Sequence, residues 1–227
     1  LAVGHSAVRP QAAEALIDAL NTNRIPQVPR HGAVGVGGSV PLAHVMRALC
    51  GYGGMVDTDD GPIPAAQAFP NPLVPTQKEA LASLNGSTLT TALAALAVER
   101  ARVLVDAAIA ACALSMEVVR ADINCLEEAP LQARNHPGAV RAARRLRGLL
   151  AGSTLATHQR NPDSFSIRCA PSSIGAVLDT VDYVEAVVTR ELNGAVDNPL
   201  VFATGEVFES GNFHGAPLAL VMDHLKA

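Results

Sequence analysis

Tryptophan is absent from this chain, and aromatic residues make up only 3% of it. A core of stacked rings is therefore excluded, and aliphatic side chains, within a hydrophobic share of 49%, have to fill it. Neither sign of charge dominates. A net charge of −4 and a pI near 6.0 leave no electrostatic footprint for nucleic acid or for an anionic membrane surface. The four cysteines, Cys50, Cys112, Cys125 and Cys169, have no close pair and no metal-like spacing. They read as small buried hydrophobes in a reducing compartment, which points to the cytoplasm. No charge-free apolar run reaches the roughly twenty residues of a membrane span. The opening "LAVGHSAVRP" lacks the basic, apolar and cleavage regions of a signal peptide, and it lacks an initiator methionine. The seven histidines form neither H-x-x-x-H nor H-E-x-x-H, so no metal site is expected, and no Ser/His/Asp or Cys/His hydrolase signature occurs.

What the chain does have is helical periodicity. Its 227 residues suffice for one large domain or two small ones. Between Pro75 and Pro130 lie 54 residues with no proline and one glycine, Gly86. After Thr88 the apolar positions Leu89, Leu93, Leu96, Val103, Ala107, Ala111, Leu114 and Val118 recur at helical spacing, interrupted by Arg100. Residues 10–21 begin with proline at a first helical position. Residues 137–151 place Val140, Ala143, Leu146 and Leu150 on one face and stop before Gly152, with Arg141, Arg144, Arg145 and Arg147 forming a solvated face. Residues 172–192 repeat the pattern and stop near Gly194. The only strand signal is a short hairpin over 200–208, turning at Thr204-Gly205. The proline-rich 59–75 reads as an ordered surface excursion. These features predict one mainly helical domain over residues 1–227.

One stretch resists a purely structural reading: "HGAVGVGGSVPLAH", residues 31–44. A phosphate loop of the G-x-x-x-x-G-K-[ST] kind fails because Gly38 stands where the Lys before Ser39 belongs, and G-x-G-x-x-G fails at Val40. The plain alternative is a tight glycine turn with Ser39 near the cap of a helix entered through Pro41.

The segments "GHSAVRP" (4–10), "NRIPQVPRHGAVG" (23–35), "PLAH" (41–44), "LNGS" (84–87), "HPGAVRAARRLRGLLAGS" (136–153), "SFSIRCAP" (164–171), "ELNGAVDNPLVF" (191–202) and "GNFHG" (211–215) occur in this order. Together they resemble the aromatic amino-acid ammonia-lyase family, its histidine ammonia-lyase branch most closely. The resemblance implies an all-α, elongated helical bundle of the ammonia-lyase/fumarase-like type, corresponding to the middle of a longer chain. It also implies a homotetramer whose sites combine several subunits. In that family an internal Ala-Ser-Gly cyclises and loses water to give a methylidene-imidazolone, the electrophile for eliminating ammonia from an amino acid. The serine supplies the departing hydroxyl, and the glycine supplies the flexibility.

Here the matching loop is one residue short, and Val36-Gly37-Gly38 stands where the triad is expected. Gly37 has no hydroxyl. Ser39 is the nearest alternative, but the β-branched Val40 follows it. Pro162 and Phe165 stand where the family has a glutamine and a tyrosine. By resemblance, Asn85, Arg168, Asn198 and Phe213 remain as substrate-binding positions, with Arg168 suited to a carboxylate. Each also has a plain reading: Asn85 as a helix cap, Arg168 in an ion pair, Asn198 in the turn before Pro199. His44 and His214 read as structural. Three functions stay open: a lyase homologue without the electrophile acting on an amino-acid-like or other carboxylate ligand, an inactive structural subunit of an oligomer, and a conventional electrophile-dependent lyase. Apart from that group no cofactor is expected, and the partners are a small ligand and further copies or a completing chain.

Overall fold

A computed structural model describes residues 3–33, 35–158 and 162–226. In chain order its elements are α1 (Pro10–Asn21), β1 (Ile25–Pro26), α2 (Ser39–Leu49), β2 (Met55–Asp57), β3 (Ile63–Pro64), α3 (Ala65–Ala68), α4 (Gln77–Leu84) and α5 (Thr88–Val118). A 3₁₀ turn (Ile123–Leu126) follows, then α6 (Glu128–Ala133), α7 (Pro137–Leu149), α8 (Phe165–Arg168), α9 (Ala170–Leu192), β4 (Leu200–Val201), β5 (Val207–Phe208) and α10 (Ala216–Lys226). The class is all-α, as expected: the strands among the described residues are two or three residues long. The chain folds as two compact units, one of Leu1–Ala94 with Val187–Leu220, the other of Ala95–Ala186 with Val221–Ala227. Among the described residues no helix is long and apolar enough to cross a membrane, and no group of His, Cys, Asp and Glu is arranged to hold a metal ion.

The first unit is built on α1, α2 and the antiparallel sheet β1-β2-β3, with Ile25 opposite Asp57 and Val56 opposite Ile63. Ala19, Met46, Leu49, Val56 and Phe69 share its core. The proline-rich stretch departs from the surface excursion expected of it. It contributes β3 and α3, and Ala65, Ala68 and Phe69 are buried in the apolar cluster that α2 and β2 share. α4 opens with a capping box, Thr76 accepting from the Glu79 backbone and Glu79 from that of Thr76. The enclosed Glu79 carboxylate also accepts from the Arg9 backbone at 2.9 Å and from its guanidinium at 2.7 and 2.8 Å. Those donors hold the carboxyl well below the usual range, the Arg9 side chain being the strongest.

In the second unit α5 buries Val98, Val105, Ile109, Ala113 and Met116. Its other apolar stripe lies outside: Leu96, Val103, Leu114 and Val118 are exposed. Both faces of the helix are apolar, so turning one inward leaves the other uncovered. α7 and α9 approach so closely that a Cβ on Gly138 would lie 2.0 Å from the Gly175 carbonyl oxygen. Asp179 of α9 accepts from the Gly138 backbone at 3.1 Å, satisfying one of the free amides at the start of α7. The four arginines of α7 lie on its solvent-facing side, as expected, and are ion-paired there. Arg141 pairs with Asp179 and Asp182, Arg145 with Asp106, and Arg144 and Arg147 with Glu128. Not all the cysteines are buried: Cys50 is, Cys112 and Cys125 are half-buried, and Cys169 is exposed on the turn between α8 and α9.

Candidate functional site

In the first unit the glycine loop, the end of α4, the turn before β4 and the segment after β5 meet. Each approach depends on a missing side chain. A Cβ on Gly86, where φ is +98°, would fall 2.0 Å from the Val196 carbonyl oxygen. One on Gly38 would fall 2.7 Å from Leu89 Cβ, and one on Gly215 the same distance from Val36 Cγ2. Hydrogen bonds complete the junction: Gly38 donates to the Gly86 carbonyl at 3.3 Å, and the Thr90 hydroxyl donates to the Val36 carbonyl at 2.7 Å. Val34 of the glycine stretch and Asn161 lie outside the described residues.

Asn85 and Asn198 are brought together here. Asn85 closes α4 and does not open the next helix. Its amide nitrogen donates to the Asn198 carbonyl at 3.0 Å and faces Asp197 Oδ1 at 3.5 Å. Asn198 is fully engaged by the protein, its Nδ2 donating to Glu209 at 2.7 Å and its Oδ1 accepting from the Ser210 backbone. That bonding staples the turn to the segment after β5, so the plain reading of Asn198 describes its contacts. Asn212 donates to the Ala195 carbonyl at 3.0 Å and anchors the neighbouring Phe213, which is exposed. His214 accepts from the Ala216 backbone at 3.3 Å at the start of α10, a structural contact. A cavity of about 230 Å³ is lined by Asn85, Asp197, Ser83, Thr88, Leu42 and Val45. It is smaller than the roughly 300–1,000 Å³ of drug-sized sites and suits a small ligand.

In the second unit α8 carries Phe165 and Arg168. The Arg168 guanidinium carbon lies 5.3 Å from the Phe165 ring centroid, a cation–π contact, and among the described residues it has no carboxylate partner. Asp163, just before α8, ties the segment to the Asp122 backbone. Burial, with Asp122 and Asp163 nearby, pushes the Cys125 thiol up to about 11, far from a thiolate nucleophile.

The profile of the family described as aromatic amino acid lyase matches residues 1–227, the whole chain. This chain belongs to the aromatic amino acid lyase family. A histidine ammonia-lyase of Caldanaerobacter subterraneus is 36% identical over 234 residues, covering 99% of this chain and 46% of that protein. A tyrosine ammonia-lyase of Cupriavidus metallidurans is 36% identical over 252 residues, covering 99% and 47%. Among solved structures, the tyrosine aminomutase of Streptomyces globisporus superposes with a TM-score of 0.89 at 34% identity, over 98% of this chain and 47% of that one. The chain spans about half the length of the curated relatives it matches.

The methylidene-imidazolone of the lyase family does not fit the residues present. Ring closure joins the third residue's nitrogen to the first residue's carbonyl carbon. In Val36-Gly37-Gly38 both ends are engaged, the carbonyl by Thr90 and the nitrogen by Gly86, and Gly37 has no hydroxyl to lose. In Gly38-Ser39-Val40 the Gly38 carbonyl accepts from Leu42 at 2.9 Å in the first turn of α2, with Gly38 as its N-cap. Ser39 is therefore the first helical residue, one place on from the cap.

Sequence reasoning missed Asp197, Lys78, Thr90 and Glu209. Lys78 was legible in principle, since it precedes Asn85 by seven residues on one face of α4. Nothing in the sequence marks Glu209.

Proposed function

We propose that this chain is an ammonia-lyase homologue that works without the methylidene-imidazolone and binds an amino-acid-like or other small carboxylate ligand. The observation that carries this reading is the glycine loop, whose would-be ring atoms are engaged by Thr90 and Gly86 while Gly37 lacks the hydroxyl. Arg168, with its guanidinium edge available above Phe165, supplies a bidentate fork for a carboxylate. In the first unit Asn85 supplies a polar wall to the small cavity, and the family resemblance marks Phe213 as a further ligand-binding position. Phe165 cannot accept or donate a proton, so any chemistry proceeds by a route that does not use a phenol at this position.

The test is the intact mass of the purified chain. The expected result is the unmodified sequence mass. A deficit of two waters would overturn the reading in favour of the conventional lyase, and ammonia release from histidine, phenylalanine and tyrosine would then be assayed.

A second reading has its own support. Leu96, Val103, Leu104, Leu114 and Val118 leave an apolar face of α5 exposed, which suits a cytoplasmic homotetramer or a chain completed by a partner. Under that reading the protein is a structural subunit, with no ligand bound.

A further inference from the structure

The turn before α1 is fixed to β4 through His5. The His5 carbonyl accepts from the Val201 backbone at 2.8 Å, and the His5 ring lies on Phe202 with centroids 4.3 Å apart. The next residue, Ser6, is folded inward to 7% exposure, and among the described residues its hydroxyl has no hydrogen-bond partner. A buried hydroxyl left in that state is costly unless something beside it meets it. Ser6 lines the cavity of about 230 Å³ within the first unit. With Gly4 and Leu16 it also lines a neighbouring, more open hollow of about 470 Å³ along the start of α1. The hydroxyl therefore stands at the wall that an inner cavity and an outer hollow share.

The rest of the inner cavity decides what meets that hydroxyl. Leu16, Leu42, Val45, Met46 and Val196 make its walls largely apolar. Ser83 donates its own hydroxyl to the Glu79 carbonyl at 2.7 Å, which leaves Ser6 as the buried hydroxyl still open. Among the described residues no Lys, Arg or His lines the cavity, and its one ionisable group is Asp197. That carboxylate is already matched by Lys78 and by the Asn198 backbone at 2.6 Å. A carboxylate brought in would face Asp197 with no cation to receive it, and an ammonium group would find the carboxylate taken. We propose that this cavity is a site for a small uncharged molecule, a compact apolar body bearing one hydroxyl, with Ser6 as the polar group that recognises it. A cavity of about 150 Å³ with aliphatic walls already holds a benzene ring, so this one takes a ring with a short hydroxylated arm. The site goes beyond the carboxylate reading and does not depend on it, because its occupant is a second ligand held within the first unit alone.

Met46 lines the cavity, so its methyl group reports occupancy, while Met222, in an apolar groove of the second unit, reports unspecific binding. The test is a methionine-methyl NMR titration of the full chain with benzyl alcohol, toluene and benzoate. The expected result is a saturable shift of the Met46 signal with benzyl alcohol and none with benzoate. Benzyl alcohol should bind about five-fold or more tightly than toluene, the scale of one uncharged hydrogen bond. Ser6→Ala keeps the cavity and removes the hydroxyl, and it should bring benzyl alcohol to within about two-fold of toluene. If that variant does not fold, the ratio of the two affinities in the unaltered chain decides the matter. The proposal is overturned if benzyl alcohol leaves Met46 unmoved or moves only Met222, if its advantage over toluene is under about two-fold, or if that advantage survives Ser6→Ala. Benzoate binding at Met46 as tightly as benzyl alcohol also overturns it, and alone among these outcomes supports a carboxylate ligand in this cavity.

Discussion

The glycine loop and the asparagine turn belong to the same unit and meet at one junction, yet they are held together by different means. The turn retains its polar side chains, each held by named partners: Asn198 by Glu209 and Ser210, Asp197 by Lys78, Asn85 by the turn itself. The loop retains only what its neighbours require. Leu89 leaves no room for a Cβ at Gly38, and Thr90 needs a carbonyl at Val36, which any residue provides. Packing at this site is thus exacting at Gly38 and Gly86, where a Cβ would collide with a neighbour.

The largest test of this comparison lies where the two regions join. Gly86→Ala drives a Cβ into the Val196 carbonyl at a backbone conformation that L-residues avoid. The expected cost is about 3 kcal/mol or more, read by thermal or denaturant unfolding. Gly211→Ala, with nothing within 4 Å of the added carbon, is the control and should move stability by about 0.5 kcal/mol or less. If both substitutions are equally mild, the junction is not the rigid seam described.

Acid should sharpen the contrast next. Glu79 anchors the start of α4, and its folded-state pKa lies below the ordinary value of about 4.3. A depressed carboxyl contributes stability in full above its unfolded pKa and loses it as pH falls towards the folded one. Unfolding stability should therefore drop as pH is lowered below about 4.3. Glu79→Gln should be less stable at pH 7 and show a shallower acid decline, measured by denaturant titration at a series of pH values. A variant with the full acid decline would remove Glu79 as its cause.

The smallest effect concerns the second unit. Phe165→Leu removes the ring beneath Arg168, a contact worth about 0.5–1 kcal/mol at an exposed site, and stability should fall by about that much in denaturant unfolding. Phe165→Tyr keeps the ring and should leave stability unchanged.

Much of the helical frame was legible in the residues themselves. Pro10 and Pro137 mark the first positions of α1 and α7 with fixed backbone angles, and the proline-free stretch after Thr88 yields one helix of 31 residues. The three-stranded sheet was not legible, because strands as short as Ile25–Pro26 carry no alternation to detect. The inner face of α5 was ambiguous because both faces are apolar. Asn85 and Asn198 came from family resemblance, which marks positions without saying what holds them. Asp197 and Lys78 escaped because their pairing joins residues 119 apart in sequence, and only the folded chain brings them together.

The crossing of α7 and α9 closes two sites to mutational drift. At Gly138 and Gly175 every substitution adds at least a Cβ inside van der Waals contact with the other helix's backbone, so no single change at either site is neutral. The arginine pairs around them, apart from Asp179, which also caps the start of α7, carry no such veto. In a set of related sequences these two glycines should therefore stand invariant amid variable charge, a record of shape outlasting chemistry.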